Sequence, residues 1–299
     1  MTYGLPSMAK WGTRFKRVLS RATEVYQATQ EQYPGDDMLF GFVNSVTQGL
    51  AFMRASELGV GVRALVLHDP GSPRIFGATR YFLDKWKALG RPADEIDLAS
   101  LRRAIPEDAT TKAARGRRVV ADTKKVRDRR KLMTMLFADV KGFSSLSEEQ
   151  SRKFFRAFLR EVARILKDVP SPPAFCNTGG DGLFVVFEKS TDCAALASEL
   201  TRIDFERPGL PPEMSIRVGP HTGPVYPAKD PVIGKNNYFG ANVNRAARIE
   251  PVTAPGCAYA SEQFAAVLAV TPGHNFRCEF IGKEELAKNY DQCRLYRLV

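Results

Sequence analysis

Apolar residues recur at helical spacing between residues 8 and 31, where Trp11, Phe15, Val18, Ala22 and Val25 share one stripe, and this spacing predicts a helix. After the break QYPGDD, Phe40, Phe42, Val43, Val46, Leu50 and Phe52 predict a second helix from about Met38 to Leu58. VRALVLHD (62 to 69) has the continuous apolar character of a buried strand, PGSP reads as a turn, TRYFLDKWKALG as a helix closed by Gly90, and EIDLA (95 to 99) as a short strand. Alternation of this kind predicts a small α/β module.

A different pattern begins near Lys131. LMTMLFADVKGFS (132 to 144) is apolar on both faces through Leu132, Met133, Met135, Leu136 and Phe137, as a central strand should be, and Gly142 lets the backbone turn. Ser147 and Gln150 then form a capping box for a helix whose stripe is Phe154, Phe155, Phe158, Val162, Ile165 and Leu166. PAFCNTGGDGLFVVFE reads as two short strands around a glycine-rich turn, STDCAALASELTRI as a helix, MSIRVGPHTGPVY as a strand and hairpin, KDPVIGKNNY as a surface loop and FGANVNRAARIEPV as a third helix. The tail holds a helix at 261 to 269 and strands near 276 to 281 and 294 to 298. The order βαββαβ with extra elements predicts an α+β fold, a ferredoxin-like sheet with helices on one face.

Length and charge divide the chain further. At 299 residues it is expected to hold two domains: an N-terminal α/β or helical module over 1 to 105, which dimerises or braces its neighbour, and a larger domain over 131 to 299. Of the formal net charge of +11, most sits between Leu101 and Lys131, where twelve Lys or Arg face four Asp or Glu. Residues 106 to 130 are therefore expected to be a solvated basic linker, able also to concentrate a phosphate-rich small substrate. No apolar run reaches membrane-spanning length and no leader pattern opens the chain, so a cytoplasmic location is expected. Cys176, Cys193, Cys257, Cys278 and Cys293 are odd in number and never in CxxC spacing, which speaks for reduced thiols.

The candidate chemistry lies in three segments. Asp139 ends the central strand and Asp181 sits on the GGDG turn; two carboxylates converging from adjacent strand ends suit two Mg²⁺ or Mn²⁺ ions bridging the phosphates of a nucleoside triphosphate. Backbone N–H groups of the VKGFS turn, at Lys141, Gly142 and Phe143, can cradle remaining phosphate charge. Asn244 and Arg248, four apart on the third helix, project from one face; the guanidinium suits charge that develops on a phosphoryl oxygen, and the amide can orient a ribose.

In order and spacing, FADVKGFS, NTGGDGLFVVF, RVGPHTGPV and YFGANVNRAARIE resemble the blocks of class III nucleotidyl cyclases, from Arg130 to Val299. The resemblance implies Asp139 and Asp181 as metal ligands assisted by the carbonyl of Val140, Asn244 aligning the ribose and Arg248 stabilising the α-phosphate in flight. The family's triphosphate lysine falls near Lys283, although IGKEEL departs from the usual Lys-Gly order. It also implies a head-to-tail homodimer, metals from one subunit and the Asn/Arg pair from the other, and an inactive monomer. The positions that read a purine in this family hold Asn177 and Asn237, amides able to pair with uracil or, flipped, with cytosine. That departure resembles the pyrimidine cyclases of bacterial Pycsar anti-phage systems. It implies UTP as substrate, cyclic UMP as product and a cyclic-nucleotide receptor as downstream effector. Cytidylate or purine cyclase activity remains the alternative.

FGATRYFLDKWKALGRPADEIDL also resembles, over a short span, Rossmann-like nucleotide-sensing domains found beside some bacterial cyclases, but only Gly77 stands where a phosphate loop needs several glycines, so no ligand is assigned there. GGDG resembles the GGDEF turn of diguanylate cyclases, yet Gly182 and Leu183 replace the acid and the Phe. A silent nucleotide-binding signalling module is the alternative of another class. With no aromatic platform or recognition motif beside the basic linker, no stable nucleic-acid partner is expected, and no membrane partner.

Overall fold

The structure, a computed structural model, describes residues 6–31, 37–71, 77–104, 130–206, 210–288 and 292–299. Contacts divide the chain into two units, Met1–Gln32 and Tyr33–Val299. In the first, α1 (Pro6–Leu19) stops well short of the helix expected over 8 to 31. Ser20 Oγ donates to the Arg17 carbonyl at 3.1 Å, a local side-chain bond that competes with helix continuation, so Ala22 and Val25 fall outside the helix.

In the second unit, α2 (Met38–Glu57), β1 (Ala64–His68), α3 (Thr79–Ala88), β2 (Ala93–Asp97) and α4 (Leu98–Ala104) follow the predicted alternation, with α4 added. β1 and β2 pair in parallel, and Phe52 and Phe82 stack on the buried Trp86. α4 escaped the pattern because it is short; Asp97 starts it by accepting from the Ala99 N–H at 2.8 Å and the Ser100 hydroxyl at 2.6 Å. A Cβ at Gly77 would meet Phe40 Cβ at 2.4 Å, so packing against α2 accounts for this glycine. The expected basic linker, 106 to 130, lies outside the described residues except for Arg130.

A five-stranded antiparallel sheet follows, in the order β4-β5-β3-β6-β7, from β3 (Lys131–Lys141), β4 (Phe175–Gly179), β5 (Gly182–Phe187), β6 (Ser215–Lys229) and β7 (Asn236–Phe239). The period of two along β3 sorts its side chains. Leu136, Ala138 and Val140 pack with Phe154, Phe158, Val162 and Ile165 of α5 (Glu148–Asp168) and with α6 (Ser190–Leu200) in the main core. Each buried Phe there contributes roughly 1.5–3 kcal/mol. The capping box at Ser147 and Gln150 forms as predicted. On the other face, Met133 and Met135 pack with Phe175, Val186, Val225, Tyr238 and Ala246 of α7 (Ala241–Ile249). Helices therefore cover both faces, against the expectation of one.

β6 also departs from expectation. It runs unbroken for 15 residues through the segment read as a strand and hairpin, and the actual hairpin to β7 turns at 230 to 235. Gly219 and Gly223, inside the segment read as strand and hairpin, are a seat for α7 and the residue that follows it. A Cβ at 219 would lie 2.6 Å from the Glu250 N atom, and one at 223 would lie 2.5 Å from Asn242 Cγ. A second sheet, β8-β10-β9, is built from β8 (Tyr259–Ser261), β9 (Cys278–Glu285) and β10 (Gln292–Leu298). α8 (Glu262–Ala269) packs against α2 so closely that a Cβ at Gly49 would lie 1.9 Å from the Ala266 carbonyl oxygen.

Candidate active site

Asp139, an odd position one pleat before the end of β3, lies on the α7 face of the sheet, and its register partner on β6 is Arg217. Arg217 Nη2 donates to Asp139 Oδ2 at 2.8 Å and lies 2.8 Å from Glu250 Oε1 just beyond α7. Asp181 occupies the turn between β4 and β5, which Gly180 permits with φ +67°, and the β3–β5 register, with Ala138 opposite Leu183, puts that turn at the same end of the sheet as Asp139. Asp139 and Asp181 are close enough within one chain for the charge of the first to act on the second. Burial and then the neighbouring Asp139 charge push the Asp181 carboxyl upward. Burial likewise pushes Glu250 up to about 7 against the lowering effect of Arg217, with Asp139 and Asp181 adding to the rise.

This is a site with more negative charge than one guanidinium neutralises, which a cation relieves. Among the described residues no three or more His, Cys, Asp or Glu form a closed metal cage. Two carboxylates and a carbonyl suit Mg²⁺ or Mn²⁺, which keep water and phosphate oxygens among their ligands. The Val140 side chain is buried in the main core, so only its backbone faces this role.

The Lys141–Gly142–Phe143 turn forms as expected, with Gly142 at φ +93°. Phe143 itself packs on Phe154 and Phe155, at centroid distances of 4.9 and 5.5 Å, which leaves its backbone rather than its ring for a ligand. Lys141 is exposed at the strand end.

The remaining candidates lie apart. Asn244 is exposed on α7; Arg248 is half-buried on the same helix, with its Nε buried and unpaired, and its carbonyl accepts from the Ala287 N–H at 3.4 Å. Lys283 is exposed on β9, four residues before Ala287. Asn177 is exposed on β4, whereas Asn237 on β7 donates to Asp230 at 3.3 Å and accepts from the Tyr238 N–H at 2.8 Å. β4 and β7 are the two outer strands of the sheet, four spacings or roughly 19 Å apart. One chain does not bring Asn177 and Asn237 to the same base.

Arg217 and Glu250 were missed by the sequence reading. Arg217 opens RVGPHTGPV and Glu250 closes NVNRAARIE, and only the β3–β6 register with the seat at Gly219 brings both to Asp139. His221, two pleats along the same face, is fully buried; its ring meets Asn242 Oδ1 at 3.0 Å and Ser261 Oγ at 2.7 Å. Because Asn242 Nδ2 donates to the Pro224 carbonyl, Oδ1 accepts, so His221 Nε2 carries the proton and Nδ1 accepts from Ser261. Burial lowers its pKa to about 3.

Comparison with known proteins finds a match to the adenylate and guanylate cyclase catalytic domain over residues 126–298. The pH-sensitive adenylate cyclase of Mycobacterium tuberculosis is 25% identical over 168 residues, 56% of this chain; the match spans only 40% of that relative's length. Among solved structures, the adenylyl cyclase CyaB from P. aeruginosa is 20% identical with a TM-score of 0.49, covering 57% of this chain and 95% of that one. An adenylate cyclase from Trypanosoma brucei in its monomeric state is 19% identical with a TM-score of 0.46, covering 56% and 88%.

Proposed function

The chain belongs to the adenylate and guanylate cyclase catalytic domain family, and from that premise we propose that it converts a nucleoside triphosphate, UTP in preference, to the 3′,5′-cyclic monophosphate and pyrophosphate. The observation that carries this reading is the acid pair Asp139 and Asp181, electrostatically coupled at one end of the sheet, with Arg217 bound to Asp139. Asp139, Asp181 and the Val140 carbonyl would hold Mg²⁺ or Mn²⁺, whose chemistry is to polarise phosphate oxygens and acidify the attacking 3′-hydroxyl. Arg217 is placed to meet a triphosphate oxygen in exchange for its contact with Asp139. Asn244 orients the ribose, Arg248 stabilises charge building on the α-phosphoryl oxygen, Lys283 takes the far end of the triphosphate, and the Lys141–Phe143 turn offers N–H groups.

The catalytic unit is residues 131 to 299, on a ferredoxin-like strand order, preceded by the module at 1 to 105 and the basic linker at 106 to 130. A homodimer completes the site. The roughly 19 Å between the outer strands is closed when β4 of one protomer meets β7 of its partner. Asn177 and Asn237 then select a pyrimidine by amide hydrogen bonds, once Asn237 exchanges its bond to Asp230. Following the resemblance to pyrimidine cyclases, we read the product as a second messenger for a receptor effector in antiviral defence.

The test is a competition assay with all four ribonucleoside triphosphates and Mn²⁺, products identified by mass. Cyclic UMP as the main product is expected; cyclic CMP or a cyclic purine nucleotide as the main product removes the uracil assignment, and no cyclic product removes the enzyme. Mixing Asp139→Ala with Arg248→Ala chains is expected to restore partial turnover through one intact site per mixed dimer, and absence of rescue excludes sharing.

A further inference from the structure

α1 has an apolar stripe that remains in solvent. Trp11, Phe15 and Val18 are 64%, 65% and 69% exposed, and Leu19 is exposed beside them. At 100° per residue these four fall within about one quarter of the helix circumference. The segment is also charged in one sense only. From Met1 to Thr23 there are five basic residues, Lys10, Arg14, Lys16, Arg17 and Arg21, and the first acid is Glu24. Arg14 flanks the apolar arc, with its guanidinium 5.6 Å from the centre of the Trp11 ring. Lys16 and Arg17 occupy the last turn, where they also suit the helix dipole.

From this arrangement we infer that α1 is an interfacial helix that seats the protein on an anionic lipid surface. Its composition fits that occupant on two independent counts. An indole and a phenyl ring beside aliphatic side chains suit the boundary between headgroups and acyl chains, and unopposed basic groups at the rim suit lipid phosphates. A second copy of the helix fits less well, because stripe-to-stripe pairing would bring like charges together. No helix among the described residues is long and apolar enough to cross a membrane, so the association lies in the plane of the surface. It revises the expectation that no membrane partner exists, and it is independent of the cyclase assignment.

The chain has two tryptophans, and Trp86 is buried, so a change in emission on mixing with vesicles reports Trp11. Full-length protein is mixed with vesicles of phosphatidylcholine alone or with about one third phosphatidylglycerol, an anionic fraction large enough to set a negative surface potential. Sedimentation with the anionic vesicles only, an emission blue shift, and release by high salt are expected. Paired Trp11→Ser and Phe15→Ser changes keep the charge and remove two anchors. They should weaken partitioning at least about tenfold, which is about 1.4 kcal/mol. Turnover in solution should be unaffected. Equal binding of this variant shows attraction by bulk charge alone and overturns the proposal. So does failure of the wild type to sediment, or self-association lost in the variant while vesicles bind neither protein.

Discussion

Two clusters of polar groups share one face of β6, two pleats apart, and they are built on opposite terms. Around His221 every ring and amide partner is matched: His221, Ser261, Asn242 and the Pro224 carbonyl form a continuous chain of hydrogen bonds in the buried interior. Around Arg217 two carboxylates, Asp139 and Glu250, share one guanidinium with the Asp181 charge nearby, Arg217 Nε is buried without a partner, and the Arg217–Glu250 ion pair lacks the alignment of a hydrogen bond. Matched buried groups rigidify a fold, whereas unmatched ones raise its free energy and persist where a ligand completes them. The contrast separates the part of this face that holds α7 in place from the part to which the proposed function assigns the triphosphate.

Changes on each side should therefore fail differently. The largest effect is expected from Asp181→Asn, which keeps shape and removes one charge. Turnover should fall by at least ~10²-fold, as when one charge-stabilising group is lost from a site, while the melting temperature holds or rises. Undiminished turnover would break the comparison. Next, His221→Ala removes the ring that Asn242 Oδ1 and the Ser261 hydroxyl bond to and should cost about 2–4 kcal/mol in denaturant unfolding. Its pH dependence has a defined sign. The folded-state pKa of about 3 lies below the ordinary value of 6.5, so stability is full above pH 6.5 and is lost as the pH falls toward 3. The slope from this one group is about 1.4 kcal/mol per pH unit, and it should vanish in His221→Ala. The smallest effect is expected from Gly223→Ala. Its methyl would press on Asn242 and should cost about 1–3 kcal/mol, with a loss of turnover only as far as α7 shifts.

Much of this was legible in the sequence because it is local. The capping box at Ser147 needs only its neighbour three residues on, the stripe of α5 needs only a period, and Asp139 precedes Gly142 by three residues while Asp181 follows Gly180 directly. Arg217 and Glu250 were not legible, since their meaning depends on which residue faces which across β3, β6 and α7. The same limit misread β6: Gly219, Pro220 and Gly223 are turn formers by propensity, but pairing with β3 carries the strand through them. The stripe of α1 shows the converse, for its periodicity was readable while its exposure was not.

The contact of α2 with α8 bears on how this protein can be cut and how it can change. Gly49 and Ala266 stand more than two hundred positions apart along the chain, yet no side chain fits between their backbones. A fragment beginning at residue 131 would strip α8 of that cover and present a bare flank to solvent. Anyone trimming the protein to its chemistry should keep the start of α2, and any lineage that enlarges residue 49 must first let residue 266 retreat.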